Sequence, residues 1–367
     1  MIIKTSEFKK ACKTILYAIN TKESTLFTET LELKTEGDVL KLNVTDRTYY
    51  VTVAFKLDNE ENFHAAVNAS LFLKLVSKLT TDVIELVREG NNIKIRANGE
   101  YKIPVIFNNN VMLELPTIEL GNITNEMTIS GSILNSILRY NSKELMRGIG
   151  KNPVQSYYYI DESGAITFTS GACVNDFVLE KPIKLLLDQK VVNLFKLFGD
   201  DDIPVAFRMS QDALSDDFIQ TKVEFKTDNV TLTTVLKDMG LVSSVPVQAI
   251  RGMASKNYTY SVVVDSSNLI DAIQRILLFD DSNIVATISF TKDHMIISDD
   301  IRGNTETIKY ENECPNLETY EMKLILNNLK LIVEGCEDEY VTICFGDGKA
   351  VVVKRPTLSD IIPELVK

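Results

Sequence analysis

An internal repeat governs how this chain can fold. Six times along the 367 residues, a short run of alternating apolar and polar residues leads into Ser, Asn or Asp and then into an amphipathic segment, at Ser6, Asn68, Ser130, Asp188, Ser266 and Asn327. The intervals between these points are 62, 62, 58, 78 and 61 residues. Four of the five agree so closely that a chance scatter of helix caps is a poor explanation. Side-chain oxygens at such positions accept hydrogen bonds from the free N–H groups of a first helical turn, so each marks a predicted helix start.

The amphipathic segments have helical spacing. Phe8, Ala11, Cys12, Ile15 and Ile19 form one apolar stripe, with Lys9 and Lys13 on the polar side, and Phe72, Leu75, Val76 and Leu79 form another, opposite Lys74, Ser77 and Lys78. Between helices the pattern changes to strand, turn, strand, as in Asp82–Arg96, Lys222–Leu232 and Tyr340–Val353. Each unit therefore reads as one helix with three or four mostly antiparallel strands. Pairing the units predicts an α+β chain of three similar domains, 1–125, 126–256 and 257–367. The longest interval holds the acidic insert Gln211–Asp217 and a polar connection after Pro246.

Composition narrows the class. Hydrophobic residues make up 45% and charged residues 25%, and no apolar run reaches the roughly 20 residues that span a bilayer. The first residues, Met1 to Glu7, lack the basic and apolar regions of a signal peptide, so the expected location is the cytoplasm. Five scattered cysteines, Cys12, Cys173, Cys314, Cys336 and Cys344, have no CxxC pairing and suit reduced thiols rather than a zinc site. Gly148–Lys151 and Gly346–Lys349 lack the spacing of a phosphate-binding loop. His64 and His294 have no metal-ligand neighbour at helical spacing, and no GxSxG elbow occurs. The acidic runs Asp200–Asp202, Asp280–Asp281 and Asp299–Asp300 sit at predicted turns, where Asp is favoured for backbone reasons. Neither an enzyme nor a metal or other cofactor is expected.

Charge is segregated. The net charge is -12, yet the six helical segments together carry +7, which leaves -19 for strands and loops. A surface lined by such helices attracts phosphates while the rest of the molecule repels them. Tyr157–Tyr159 is the one aromatic cluster, and adjacent aromatics in a strand fit a core better than a base-stacking ladder.

In the order and spacing of the six helix starts, and in Leu42–Asp46, Thr167–Gly171 and Met322–Val333, the whole chain resembles the bacterial DNA sliding clamps, the beta subunits of DNA polymerase III, as a divergent member. The resemblance implies three clamp domains forming a half ring, and a head-to-tail homodimer closing around double-stranded DNA. It places Lys9, Lys10, Lys13, Lys74, Lys78, Arg139, Lys143, Arg147, Lys190 and Lys196 at the lumen, as loose phosphate neighbours. Ile103 and Val105 in the first domain, with Leu278 and Phe279 in the third, match the family's subunit interface. A pocket for short linear peptides of the DNA polymerase and the clamp loader falls on Tyr159, Thr169, Gly171, Ala172, Cys173, Val174, Pro246, Ile250, Arg251, Val352, Arg355 and Pro356. Here the family's Thr-Asp-Gly-His-Arg-Leu reads Thr169-Ser-Gly-Ala-Cys-Val174, and Lys354–Leu358 with Ser359–Lys367 replaces its Met-Pro-rich end, which implies a different peptide preference. The competing reading of the residues is an interaction protein of repeated β-rich domains whose lysines are merely solvated. A hydrolase using the scattered Asp and Glu is disfavoured by the missing motifs.

Overall fold

The computed structural model describes residues 1–19, 24–141, 157–168, 171–199, 201–215, 218–279, 284–335, 338–346 and 350–365. Seven helices are seen among them: α1 (Thr5–Leu16), α2 (Ala69–Lys78), α3 (Gly131–Ser136), α4 (Gln189–Val192), α5 (Val247–Ser255), α6 (Ser266–Leu277) and α7 (Leu326–Glu334). A π-turn, Ile137–Asn141, prolongs α3, and a 3-10 segment, Asn193–Phe198, prolongs α4. None of the described helices is long and apolar enough to cross a membrane.

The repeat is a repeat of structure. Residues 2–56, 64–104, 123–176, 184–235, 260–309 and 320–363 each run through the same order: lead strand, helix, three more strands. Every strand pairing among the described residues is antiparallel. Half-repeats come in pairs because they exchange lead strands. Ile2–Lys4 pairs with Val83–Glu89 of the second half-repeat, while His64–Asn68 pairs with Thr30–Glu36 of the first. The third and fourth, and the fifth and sixth, make the same exchange. The second pair begins at Ile123, so the predicted boundary at 125 falls inside a strand.

Six four-stranded blocks result, and four of them fuse. Tyr49–Lys56 pairs with Val230–Val235, and Ala172–Asp176 with Leu358–Pro363, giving two eight-stranded sheets. Two four-stranded sheets stay separate, ending on Glu100–Pro104 and on Thr305–Lys309. Backbone contacts divide the chain into two compact units, 1–135 with 190–236 and 136–189 with 237–367, each holding one eight-stranded and one four-stranded sheet.

Helices pack by the stripes that the spacing predicts. Phe8, Ala11, Cys12 and Ile15 of α1 are buried, and Phe8 meets Phe72 of α2 edge-on at 6.0 Å between ring centres. In α2 the buried set is Ala69, Phe72, Leu73 and Val76, so Leu73 takes the place expected of Leu75. In one of the cores of the second unit Phe290 stacks on Phe345 at 3.9 Å between ring centres.

Three predicted caps act at or beside their positions. Asn68 Oδ1 accepts from the Leu71 N–H at 2.9 Å, and Ser130 Oγ from the Ser132 N–H at 3.1 Å. At α6 the cap is Asp265, one residue before the predicted Ser266, accepting from Asn268 N–H at 2.7 Å. That bond, with a second from Ser267, holds the Asp265 carboxyl below the usual carboxylate range. Helices α1 and α7 start at Lys4 and Ile325 without a side-chain cap. Substituting Asn68→Ala is expected to lower stability by about 1 kcal/mol, seen as a lower urea midpoint, whereas Asn327→Ala should change little.

One helix was not predicted. The stretch after Pro246 reads as a polar connection, yet Val247–Ser255 is helical, with Val247, Ile250 and Ala254 turned inward. The i, i+3, i+7 spacing was present, but Gly252 and the short length hide it.

Candidate functional site

Helices α1 and α2 pack against each other, and Lys9, Lys13 and Lys74 converge on the groove between them. Lys9 and Lys13 are one helical turn apart, which puts them on the same side of α1. Lys10 faces the opposite flank of α1, beside Glu7. Lys78 is exposed at the end of α2, and Lys196 on the 3-10 segment after α4.

Lys190 differs from the expected loose phosphate neighbour. Its ammonium lies 2.8 Å from Asp46 Oδ2, whose side chain is fully buried. The other Asp46 oxygen accepts from Thr48 N–H, Thr48 Oγ1 and Tyr49 N–H, so the carboxylate locks the 45–49 turn and needs Lys190 as counter-ion. In the second unit Arg139 is exposed beside the Tyr140 ring. Lys143 and Arg147 lie outside the described residues. The α6–α7 pair is electrically neutral: Arg275 forks onto Glu306 with both bonds at 2.8 Å, and Lys330 pairs with Glu334 at 3.4 Å.

The described residues expected to line a peptide pocket lie within the second unit. Tyr159, Ala172 and Val174 sit on one face of the fused sheet, in a cluster covered by α5 through Ile250, Met253 and Ala254. Burial and the Asp161 carboxylate raise the Tyr159 phenol above its ordinary pKa. Strand alternation turns Cys173 to the other face, where its carbonyl accepts from the buried Asn141 amide at 3.4 Å. Val352 is fully buried and forms floor rather than wall. Both arginines are committed to carboxylates, Arg251 to Asp161 at 2.5 Å and Arg355 to Asp360 at 2.6 Å. Pro246 is exposed at the start of α5, and Pro356 is exposed in the turn before the last strand. Thr169 lies outside the described residues.

What the sequence reading missed is the last strand. Leu358–Pro363, not the segment around Val352 to Pro356, runs beside Ala172–Asn175. It brings Ile361 and Pro363 against Gly171, where a Cβ would stand 2.0 Å from the Ile361 carbonyl oxygen. Gly171→Ala must therefore push these strands apart, at an expected cost of about 1–3 kcal/mol, measurable as a lower unfolding midpoint. Met239, Val245, Met253, Tyr157 and Tyr258 complete the half-buried apolar rim. Met253 and Tyr258 belong to the unpredicted helix and its exit, which is why they were overlooked.

The predicted interface residues divide in two. Leu278 and Phe279 follow α6 and are 81% and 58% exposed, unusual for side chains of this size. Ile103 and Val105 are 2% and 6% exposed, because alternation along the edge strand turns them into the core while Lys102 and Pro104 face out. The exposed apolar side chains nearest in sequence are Phe107 and Val111, on the hairpin that follows. Among the described residues no group of three or more His, Cys, Asp or Glu is placed to hold a metal ion.

No protein-family model matches the chain, and no curated protein sequence does either. Solved structures do match over its whole length. The DNA polymerase III beta subunit of Pseudomonas aeruginosa superposes with a TM-score of 0.79 at 13% identity, covering 100% of both chains. The DNA polymerase sliding clamp of Bacillus subtilis gives 0.77 at 15% identity, covering 100% of this chain and 98% of that one. The beta subunit of Thermotoga maritima gives 0.78 at 12%, covering 100% and 99%. The chain is α+β and has, from end to end, the fold of these DNA polymerase III beta-subunit structures.

Proposed function

We propose that this protein is a DNA sliding clamp. Two copies join head to tail into a ring that encloses double-stranded DNA, and the ring tethers a replicative DNA polymerase in the cytoplasm without catalysing a reaction. The proposed domains are 1–125, 126–256 and 257–367, which follow the three successive pairs of half-repeats except that Ile123–Asn125 already belong to the second pair, and no metal or cofactor is required.

The observation that carries this reading is the pairing of the sheets. The last strand of the first half-repeat pairs with that of the fourth, and the last strand of the third with that of the sixth. Each odd half-repeat thus joins the one three places further on. The fifth has no such partner within the chain, and the unclaimed strand is the last of the second half-repeat. Applied to two copies, the rule joins Thr305–Lys309 of one to Glu100–Pro104 of the other. That contact is heterologous, and made twice it closes.

Both strands are suited to it. In the ladder that includes Val105 N–H to Asn91 C=O at 2.8 Å, Tyr101 and Ile103 bond inward, so Glu100 and Lys102 direct their N–H and C=O outward. By the same alternation Thr305, Thr307 and Lys309 do so on the other edge. Unpaired edges are a liability that proteins cover, and this pairing covers both.

Enclosure removes the need for tight phosphate contacts, which suits a chain with net charge -12 that carries the exposed Lys10, Lys13, Lys74 and Lys78 on α1 and α2. The apolar surface under α5 is the proposed dock for linear peptides of the polymerase and the clamp loader. Light scattering across a dilution series tests the assembly: twice the 41.2 kDa of the chain is expected, and a single chain at micromolar concentration would defeat the reading.

A further inference from the structure

DNA enclosure accounts for the lysines on α1 and α2 but not for what lies between them. The groove there has a volume of about 420 Å³, within the size range of small-molecule sites. Its lining is apolar between the lysines: Cys12 and Leu73 are buried at the bottom, Ile19 is half-buried, and Leu16 stands at the mouth, 53% exposed. Lys9, Lys13 and Lys74 stand around it, and no carboxylate lines it among the described residues. The groove on the other flank of α1 differs, since Glu7 there balances Lys10. An exposed leucine beside three lysines, with no carboxylate among the described lining residues, offers apolar contact and positive charge in one place.

We propose that the α1–α2 groove binds a small amphiphilic anion, with an alkyl or aryl body over Leu16 and Leu73 and a carboxylate, sulfonate or phosphate head among the three ammonium groups. The two halves of the site are complementary to the two halves of such a ligand. Burial of the body supplies affinity and the lysines select the sign of the head. This assignment stands on the groove alone and does not depend on the clamp reading.

Decanoate serves as the probe, titrated calorimetrically into the full-length protein below its micelle-forming concentration, with decyltrimethylammonium as the control of opposite charge. One decanoate per chain is expected to bind, and the cation at least tenfold more weakly. Leu16→Glu places a carboxylate at the mouth of the groove on an exposed position and should weaken decanoate at least tenfold with the melting temperature unchanged. Lys13→Ala with Lys74→Ala should give a similar loss, and serves if Leu16→Glu proves unstable. Equal binding of both probes, binding untouched by these substitutions, or no binding of decanoate would each overturn the proposal. So would an acidic peptide that saturates the groove while decanoate does not.

Discussion

Reversing the charge of Lys13 and Lys74 together is expected to lower affinity for duplex DNA at least tenfold near 0.1 M salt while leaving the mass and melting temperature of the protein unchanged. Both side chains are exposed, so the fold does not depend on them. In a closed dimer the pair of substitutions turns four cations toward the lumen into four anions, a change of eight charges. Each phosphate contact contributes about 0.9 to the slope of log affinity against log salt, so the slope should fall by several units. Fluorescence anisotropy over a salt series measures both quantities. If the lysines are only solvated, neither affinity nor slope will move. Lys190→Glu is a poor substitute, because it strands the buried Asp46 carboxylate and would damage the fold first.

Substituting Thr307→Pro is expected to convert the dimer largely to monomer. The N–H of Thr307 faces away from its own sheet, so proline removes no hydrogen bond within the chain, and an edge strand tolerates it. At the proposed seam the same change deletes a ladder bond and leaves its acceptor unpaired, at about 1–3 kcal/mol. Two seams per ring double this, so the dimer dissociation constant should rise about thirtyfold or more. Sedimentation velocity would register the change. An unaltered dimer would mean that the copies associate through some other surface.

Local features were legible in the sequence, and long-range partners were not. The six helix starts could be read because 3.6-residue periodicity, and at three of them a cap, are local signals, and so could the hairpins around Gly90 and Gly346. Strand alternation tells which side of a strand is buried, but not which strand lies beside it. The fused sheets join residues far apart, such as Val53 with Val230, so the pairing rule emerged only from the structure. The same gap explains the site residues. Lys190 looked free because its partner, Asp46, is 144 positions away. Nothing local reveals that Leu358–Pro363 forms one more strand and runs beside Ala172, or that Arg355 pairs with Asp360 on it. Ile103 and Val105, which the resemblance places at the subunit interface, have their side chains in the core of their own sheet, and the alternation that puts them there leaves the backbone of Glu100 and Lys102 facing out.

Topological retention tests the central claim most directly. The dimer is incubated with nicked circular plasmid long enough for rings to open spontaneously and reclose around it, then passed over a sizing column in salt that removes ordinary phosphate contacts. Co-elution with the circle, abolished by a single cut that linearises it, is the predicted result. Equal retention on circular and linear DNA, or none on either, would contradict enclosure.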